Sequence, residues 1–270
     1  MKKINEIIKM AAFDVDGTIL PNGHMQFSTN TKKIFPLLKL NGITSVVATA
    51  REFATIGDFL EQLEPDYFIG ANGAFIWDVN KKEFIYKNTL KKEQVVMLYN
   101  EFVDKVNAFS VCDYDKVFKT PSMQLTSWFV RPFGHNYYDF DESQLGSDDL
   151  YVITINSDDP RTTSNMVEKF INDNNLDMVI SARWTHGFFI GPKNIEKSYT
   201  LGILAEKLGY KMENLIAFGD SSNDYEMLRE AGIGVAMERA NERIKSVANT
   251  VALDCEYDGA YLKLKELGLI

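Results

Sequence analysis

Two short acidic motifs carry most of the chemistry that this sequence offers. Asp14-Val15-Asp16-Gly17-Thr18 follows an apolar run, Met10 to Phe13, and breaks it at a glycine. Side chains at i and i+2 of an extended segment share a face, so Asp14 and Asp16 should converge on one pocket. Carboxylates that close need a cation or a shared proton. Gly219-Asp220-Ser221-Ser222-Asn223-Asp224 repeats the pattern behind a second apolar run, Leu215 to Phe218. Asp14, Asp16, Asp220 and Asp224 are therefore the expected metal ligands, and an all-oxygen set of this kind suits Mg2+, a hard ion that works beside phosphates. A calcium loop is excluded, because Thr18 and Met25 stand where it needs an acidic or amide ligand and a glutamate.

Such residues need a scaffold that brings strand ends together. Four apolar runs end in small polar or acidic residues: those before Asp14 and Gly219, Ile43–Ala48 before Thr49, and Tyr67–Ile69 before Gly70. They read as strands buried on both faces of a parallel sheet. Helical spacing separates them at Thr29–Leu40, Tyr199–Leu208 and Tyr225–Ala231, and Gly232–Ala236 resumes a strand. The expectation is an α/β fold with a doubly wound, Rossmann-like parallel sheet, whose ligands bind at the carboxyl ends of the strands.

The middle of the chain departs from this rhythm. Hairpin-like strands are expected at Lys82–Tyr86, Ser127–Pro132, Tyr151–Asn156 and Met178–Ala182, with helices at Lys92–Asn107 and Arg161–Asn174. The chain thus divides into a core, 1–78 and 190–270, and an inserted α+β cap domain, 79–189.

Composition narrows the partners. The 270 residues carry a formal net charge of -9, so general nucleic-acid binding is disfavoured and an anionic substrate must be drawn by a local site. No apolar window approaches the length of a membrane span. Met1-Lys2-Lys3 starts like an export signal, but Asn5, Glu6 and Lys9 interrupt the apolar stretch that follows. Two cysteines make no disulfide framework, and a cytoplasmic location is expected. Nothing in the sequence specifies an oligomeric state.

At these two motifs the sequence resembles the haloacid dehalogenase superfamily of phosphohydrolases, and the second motif points to its Cof-like subgroup with a large α+β cap. The resemblance implies that Asp14 is the nucleophile and Asp16 the acid/base. Thr49 and the backbone N–H of Ala50 would bind the phosphoryl group, as would Asn223. Pro192-Lys193-Asn194-Ile195-Glu196-Lys197 is similar to the family's lysine motif and selects Lys197. Asp220 would bind Mg2+ directly, with Asp224 in support. The sequence departs from the family at Ala50, at Ser198 and at Glu238-Arg239, and none of these changes removes a catalytic side chain.

The implied activity is a Mg2+-dependent phosphatase acting on a small phosphorylated metabolite, a sugar phosphate above all, through an aspartyl-phosphate. The cap would choose the substrate, with Arg131, Arg183, Trp184 and His186 as candidates. Lys193 is the rival cation to Lys197, and Asn72-Gly73 reads as a turn. A hexose phosphomutase and a non-catalytic phosphate sensor are the alternatives. The sensor has no use for Asp16, and the mutase needs a second phosphate site in the cap.

Overall fold

The computed structural model describes residues 4–270; Met1-Lys2-Lys3, where the export-signal comparison begins, lie outside the described residues. The chain forms two compact units: the first runs through Ala50 and takes in Asp58–Tyr86 and Glu196–Ile270, while the second comprises Arg51–Gly57 and Lys87–Ile195.

The first unit is an eight-stranded sheet. Its strands are β1 (Met10–Phe13), β2 (Thr44–Ala48), β3 (Tyr67–Gly70), β4 (Phe75–Asp78), β5 (Glu83–Lys87) and, beyond six strands of the inserted segment, β12 (Leu215–Gly219), β13 (Ile233–Met237) and β14 (Thr250–Ala252), in the order β14-β13-β12-β1-β2-β3-β4-β5. All pairings from β14 to β3 are parallel, and β4 turns back antiparallel on β3. Every residue of β1 and β12 is buried, as expected of uninterrupted apolar strands covered on both faces. Chain order reverses beside β1, which lies between β2 and β12. In register, Phe13 faces Phe218 on one side and Val47 on the other, so Asp14, Thr49 and Asp220 leave the sheet together at one end. This is the switch point at which open α/β sheets bind ligands. Helix Lys197–Lys207 packs Leu201, Leu204 and Ala205 into the core under β1, β2 and β12, and its first residue is Lys197.

The second unit holds β6 (Ala108–Asp113), β7 (Lys116–Lys119), β8 (Tyr137–Asp139), β9 (Leu150–Asn156), β10 (Met178–Trp184) and β11 (Gly187–Pro192), ordered β10-β11-β9-β6-β7-β8. Its pairs are antiparallel except β7 with β8. Helices Lys92–Phe102 and Pro160–Asp173 bury Val95, Leu98, Val167 and Ile171 against Phe109, Ile153 and Phe188 of this sheet.

The α/β core with its α+β insert is as read from the sequence, with local differences; the helix expected over Lys92–Asn107 ends at Phe102, and a 3₁₀ turn, Val103–Lys105, follows it. Units divide at 86/87 and 195/196, where the sequence reading places 78/79 and 189/190, because β5 extends the core sheet and β11 runs on to Pro192. Arg51–Gly57 belongs with the second unit: the Arg51 guanidinium lies 4.4 Å from the Phe129 ring centre, and Asn136 donates to the Ala54 carbonyl. The strand expected at Ser127–Pro132 is absent; a 3₁₀ segment, Arg131–Asn136, begins there instead. Pro132 has no N–H to give to a sheet ladder and is at home in the first turn of a helix.

The helix that carries Lys197 depends on its apolar face. Leu204→Ala should lower stability by about 2–5 kcal/mol, read as a reduced denaturant midpoint. Leu40→Ala, at a side chain 82% exposed, should stay within about 0.5 kcal/mol of the parent.

Candidate active site

Asp14 follows the last residue of β1, its N–H given to the Phe218 carbonyl at 3.0 Å, and its side chain is buried. Lys197 Nζ lies 2.6 Å from Asp14 Oδ1 and 2.7 Å from Asp224 Oδ1, with the lysine side chain 1% exposed. Asp224 turns its other oxygen, Oδ2, to the N–H groups of Asp220 and Ser221, each at 3.0 Å. Both Asp224 oxygens are thus spent on shaping the loop and holding the lysine. Thr18 Oγ1 sits 3.1 Å from Asp220 Oδ1 and 3.4 Å from Asp14 Oδ2, tying the two acidic loops together. A Cβ on Gly17 would come within 2.5 Å of Asp220 Oδ2, and Gly17 has φ +85°, so only glycine lets these loops approach.

Single ligand oxygens of Asp14, Asp220 and Asp224 lie within 4.8 Å of one another. Three carboxylates share one ammonium, and the charge balance shows in their acidities. Burial pushes Asp14 well above the usual carboxylate range; Lys197 opposes this, while Asp224 and Asp220 add to it. Burial likewise raises Asp220 to about 6, with Asp224 contributing. Burial alone would lower Lys197, but Asp14 and Asp224 outweigh it and hold the ammonium above its ordinary value. A group of hard oxygen donors short of positive charge fits a divalent cation. Asp14 and Asp220 could hold one, with Asp224 behind them.

The other expected residues are placed as follows. Asp16 is half-buried just past β1, and its carboxylate is not one of the three. Thr49 is buried directly after β2. Ala50 is not among the described residues with positive φ, so its alanine side chain costs the backbone nothing there. Asn223 donates to Asn72 Oδ1 at 2.9 Å. Of the two candidate lysines, Lys193 is exposed and 3.5 Å from Asp177, while Lys197 is the one between carboxylates. Ser198 hydrogen-bonds Glu230, and Arg239 pairs with Asp254 and Glu256.

In the second unit Arg131 and His186 are exposed. Arg183 donates to Ser164 Oγ at 3.2 Å and lies 3.3 Å from Glu168, so it is held on helix Pro160–Asp173. Trp184 takes the opposite face, 4.5 Å between ring centres from Phe189, whose neighbours Phe188 and Ile190 point into the helix-covered core. Sequence reasoning missed two residues. Thr18 was legible only as a failed calcium ligand, and Asn72 only as a turn former.

This sheet, its switch point and the buried lysine–carboxylate group define a hydrolase of the α/β type with an inserted cap. The model of the haloacid dehalogenase-like hydrolases matches residues 11–264, and the chain belongs to that family, in its Cof-type phosphatase branch. It is 29% identical over 245 residues to the 5-amino-6-(5-phospho-D-ribitylamino)uracil phosphatase YcsE of Bacillus subtilis, covering 90% of this chain and 89% of that protein. It is 26% identical to the phosphatase YwpJ of Bacillus subtilis, covering 96% of this chain and all of the relative. A haloacid dehalogenase-like hydrolase from Bacteroides thetaiotaomicron shares the fold with a TM-score of 0.81 at 22% identity, over 96% of this chain and 99% of that one. Among the described residues no helix is long and apolar enough to cross a membrane.

The raised acidity constant of Asp220 has a consequence for stability. Its folded value, about 6, exceeds the ordinary 3.8, so its ionisation opposes folding at neutral pH, and the cost fades as pH falls through 6 toward 3.8. Asp220→Asn should therefore raise the melting temperature of metal-free protein at pH 8 and do so progressively less below pH 6. The same variant should lose most of the stabilisation that added Mg2+ gives the parent. Melting curves across pH, with and without Mg2+, check both.

Proposed function

We propose that this protein is a Mg2+-dependent phosphatase that hydrolyses small phosphomonoesters, phosphorylated sugars or sugar alcohols above all, through an aspartyl-phosphate on Asp14. The observation that carries this reading is the buried lysine bridging Asp14 and Asp224, with Asp220 alongside. A lone structural ion pair has no use for a third carboxylate that leaves the group short of positive charge.

Asp14 supplies the nucleophilic oxygen. Lys197 opposes the effect of burial on that carboxylate and orients it, and its charge lowers the repulsion between the nucleophile and an anionic phosphoryl group. Thr49, the Ala50 N–H and Asn223 are the donors expected around the phosphoryl oxygens. Asp16, outside the three-carboxylate group, is the acid that protonates the leaving alkoxide and then the base that activates water against the aspartyl-phosphate. A bound Mg2+, held by Asp14 and Asp220, would supply the remaining positive charge and help to place the phosphoryl group.

The cap is the expected source of substrate choice. The relative YcsE is named for a substrate with a phosphorylated ribityl arm, which supports a phosphate on a sugar-alcohol chain. Hydrolysis is favoured over a mutase reaction because Arg183 is already engaged by Ser164 and Glu168 and is a poor anchor for a second phosphate.

Purified protein should release phosphate from an aryl phosphate with Mg2+ and stop in EDTA. Asp16→Asn should cost about 100- to 10,000-fold in kcat, as expected for loss of an acid/base, and Asp14→Asn should cost more. Full activity of Asp14→Asn would remove the nucleophile assignment.

A further inference from the structure

The turn between β3 and β4 is held in an unusual conformation. Ala71, Asn72 and Gly73 have φ of 48°, 59° and 109°, three successive residues on the left-handed side. Asparagine tolerates such a φ and glycine is indifferent to it, but alanine resists, so the turn persists only because its surroundings determine it. Those surroundings are the phosphate side of the site. The Asn72 N–H donates to the Thr49 carbonyl at 3.0 Å. Thr200 Oγ1, on the helix that begins with Lys197, donates to the Gly73 carbonyl at 2.7 Å. A Cβ on Gly73 would lie 2.7 Å from the Glu196 carbonyl, so the turn seats directly against the residue before Lys197. Asn72 is 4% exposed, and its Oδ1 accepts from Asn223 Nδ2 at 2.9 Å.

One four-residue turn therefore touches all three elements that bear the expected phosphate-binding groups. A turn former alone would need only the backbone. A buried amide spent on a single acceptor bond to Asn223 does something more specific. An amide has a donor end and an acceptor end, and only the donor end attracts an anion. By taking one N–H of Asn223, Asn72 fixes the rotation of that amide and leaves its second N–H to point elsewhere. Were the amide reversed, Oδ1 would be offered and would repel a phosphoryl oxygen.

We propose that Asn72 is a positioning residue for phosphoryl transfer, which orients the Asn223 amide through its side chain and pins Thr49 through its backbone. This rests on the phosphatase reading above and adds a residue to it. Asn72 does not need to touch the substrate, so its effect should run through Asn223.

The test is a double-mutant cycle of Asn72→Gly with Asn223→Ala, scored by kcat/KM on an aryl phosphate and by calorimetric affinity for inorganic phosphate with Mg2+ present. Glycine keeps the positive φ and deletes only the amide, so the fold should melt within a few degrees of the parent. Asn72→Gly should lose about tenfold in kcat/KM, mostly in kcat, and should weaken phosphate binding about as much as Asn223→Ala. The double variant should be no worse than Asn223→Ala alone, because the two residues act as one unit. Parent-like kinetics in Asn72→Gly, or losses that multiply in full, would overturn the proposal while leaving the phosphatase reading standing. A parent protein that neither hydrolyses the ester nor binds phosphate would instead remove both. If the glycine variant does not fold, Thr200→Val releases the same turn at Gly73 and should give a smaller kcat loss of the same kind; parent-like kcat there would also overturn it.

Discussion

Everything in the candidate site depends on one cation held among three acids. Lys197 is buried and bridges Asp14 and Asp224, with Asp220 beside them as a third carboxylate. Burying such charges costs more than an apolar core of the same volume, so the arrangement makes little sense as a source of stability. It makes sense as a site that reserves a deficit of positive charge for ligands that bring their own. A divalent cation held there would supply the charge, and a phosphoryl group would then meet a pocket that is less anionic. The protein's overall charge of -9 does not decide the matter, because the local balance does.

The sheet exists, in functional terms, to hold that balance in register. Three parallel strands, β12, β1 and β2, end at one level and deliver Asp220, Asp14 and Thr49 side by side. The fourth contributor comes from outside the sheet, at the start of helix Lys197–Lys207, whose apolar face is locked under the same strands. Gly17 lets the first acidic loop close on the second, and Thr18 bonds across the gap. The turn at Asn72 buttresses Thr49, Asn223 and the lysine helix from the far side.

What could be read from the sequence follows from how local each signal is. Asp14, Thr49 and Asp220 end uninterrupted apolar runs, and burial on both faces makes such runs legible as central strands. Lys197 was legible by its motif, and the structure buries it between carboxylates while Lys193 is exposed. The contributions of Thr18 and Asn72 were hidden because each acts across more than 100 residues of sequence, on Asp220 and Asn223. In the second unit, period-two alternation from buried Met178 and partly buried Ile180 would have put Arg183 on the open face and Trp184 on the helix side. A register shift between Ile180 and Ala182 reverses that, turning Arg183 onto the helix and Trp184 away. A bulge leaves no mark on composition. Pro132 did leave one, and it argued against the strand expected at Ser127–Pro132.

The central claim is that Asp14, held by Lys197, takes the phosphoryl group covalently. The direct measurement is to quench the enzyme in acid during turnover of an aryl phosphate with Mg2+, reduce it with borohydride, and map the peptides by mass. An acyl phosphate reduces to the alcohol, so the account predicts homoserine at position 14, dependent on substrate and absent from Lys197→Met. Reduction at another carboxylate, or an unmodified Asp14 in enzyme that is turning over, would contradict it.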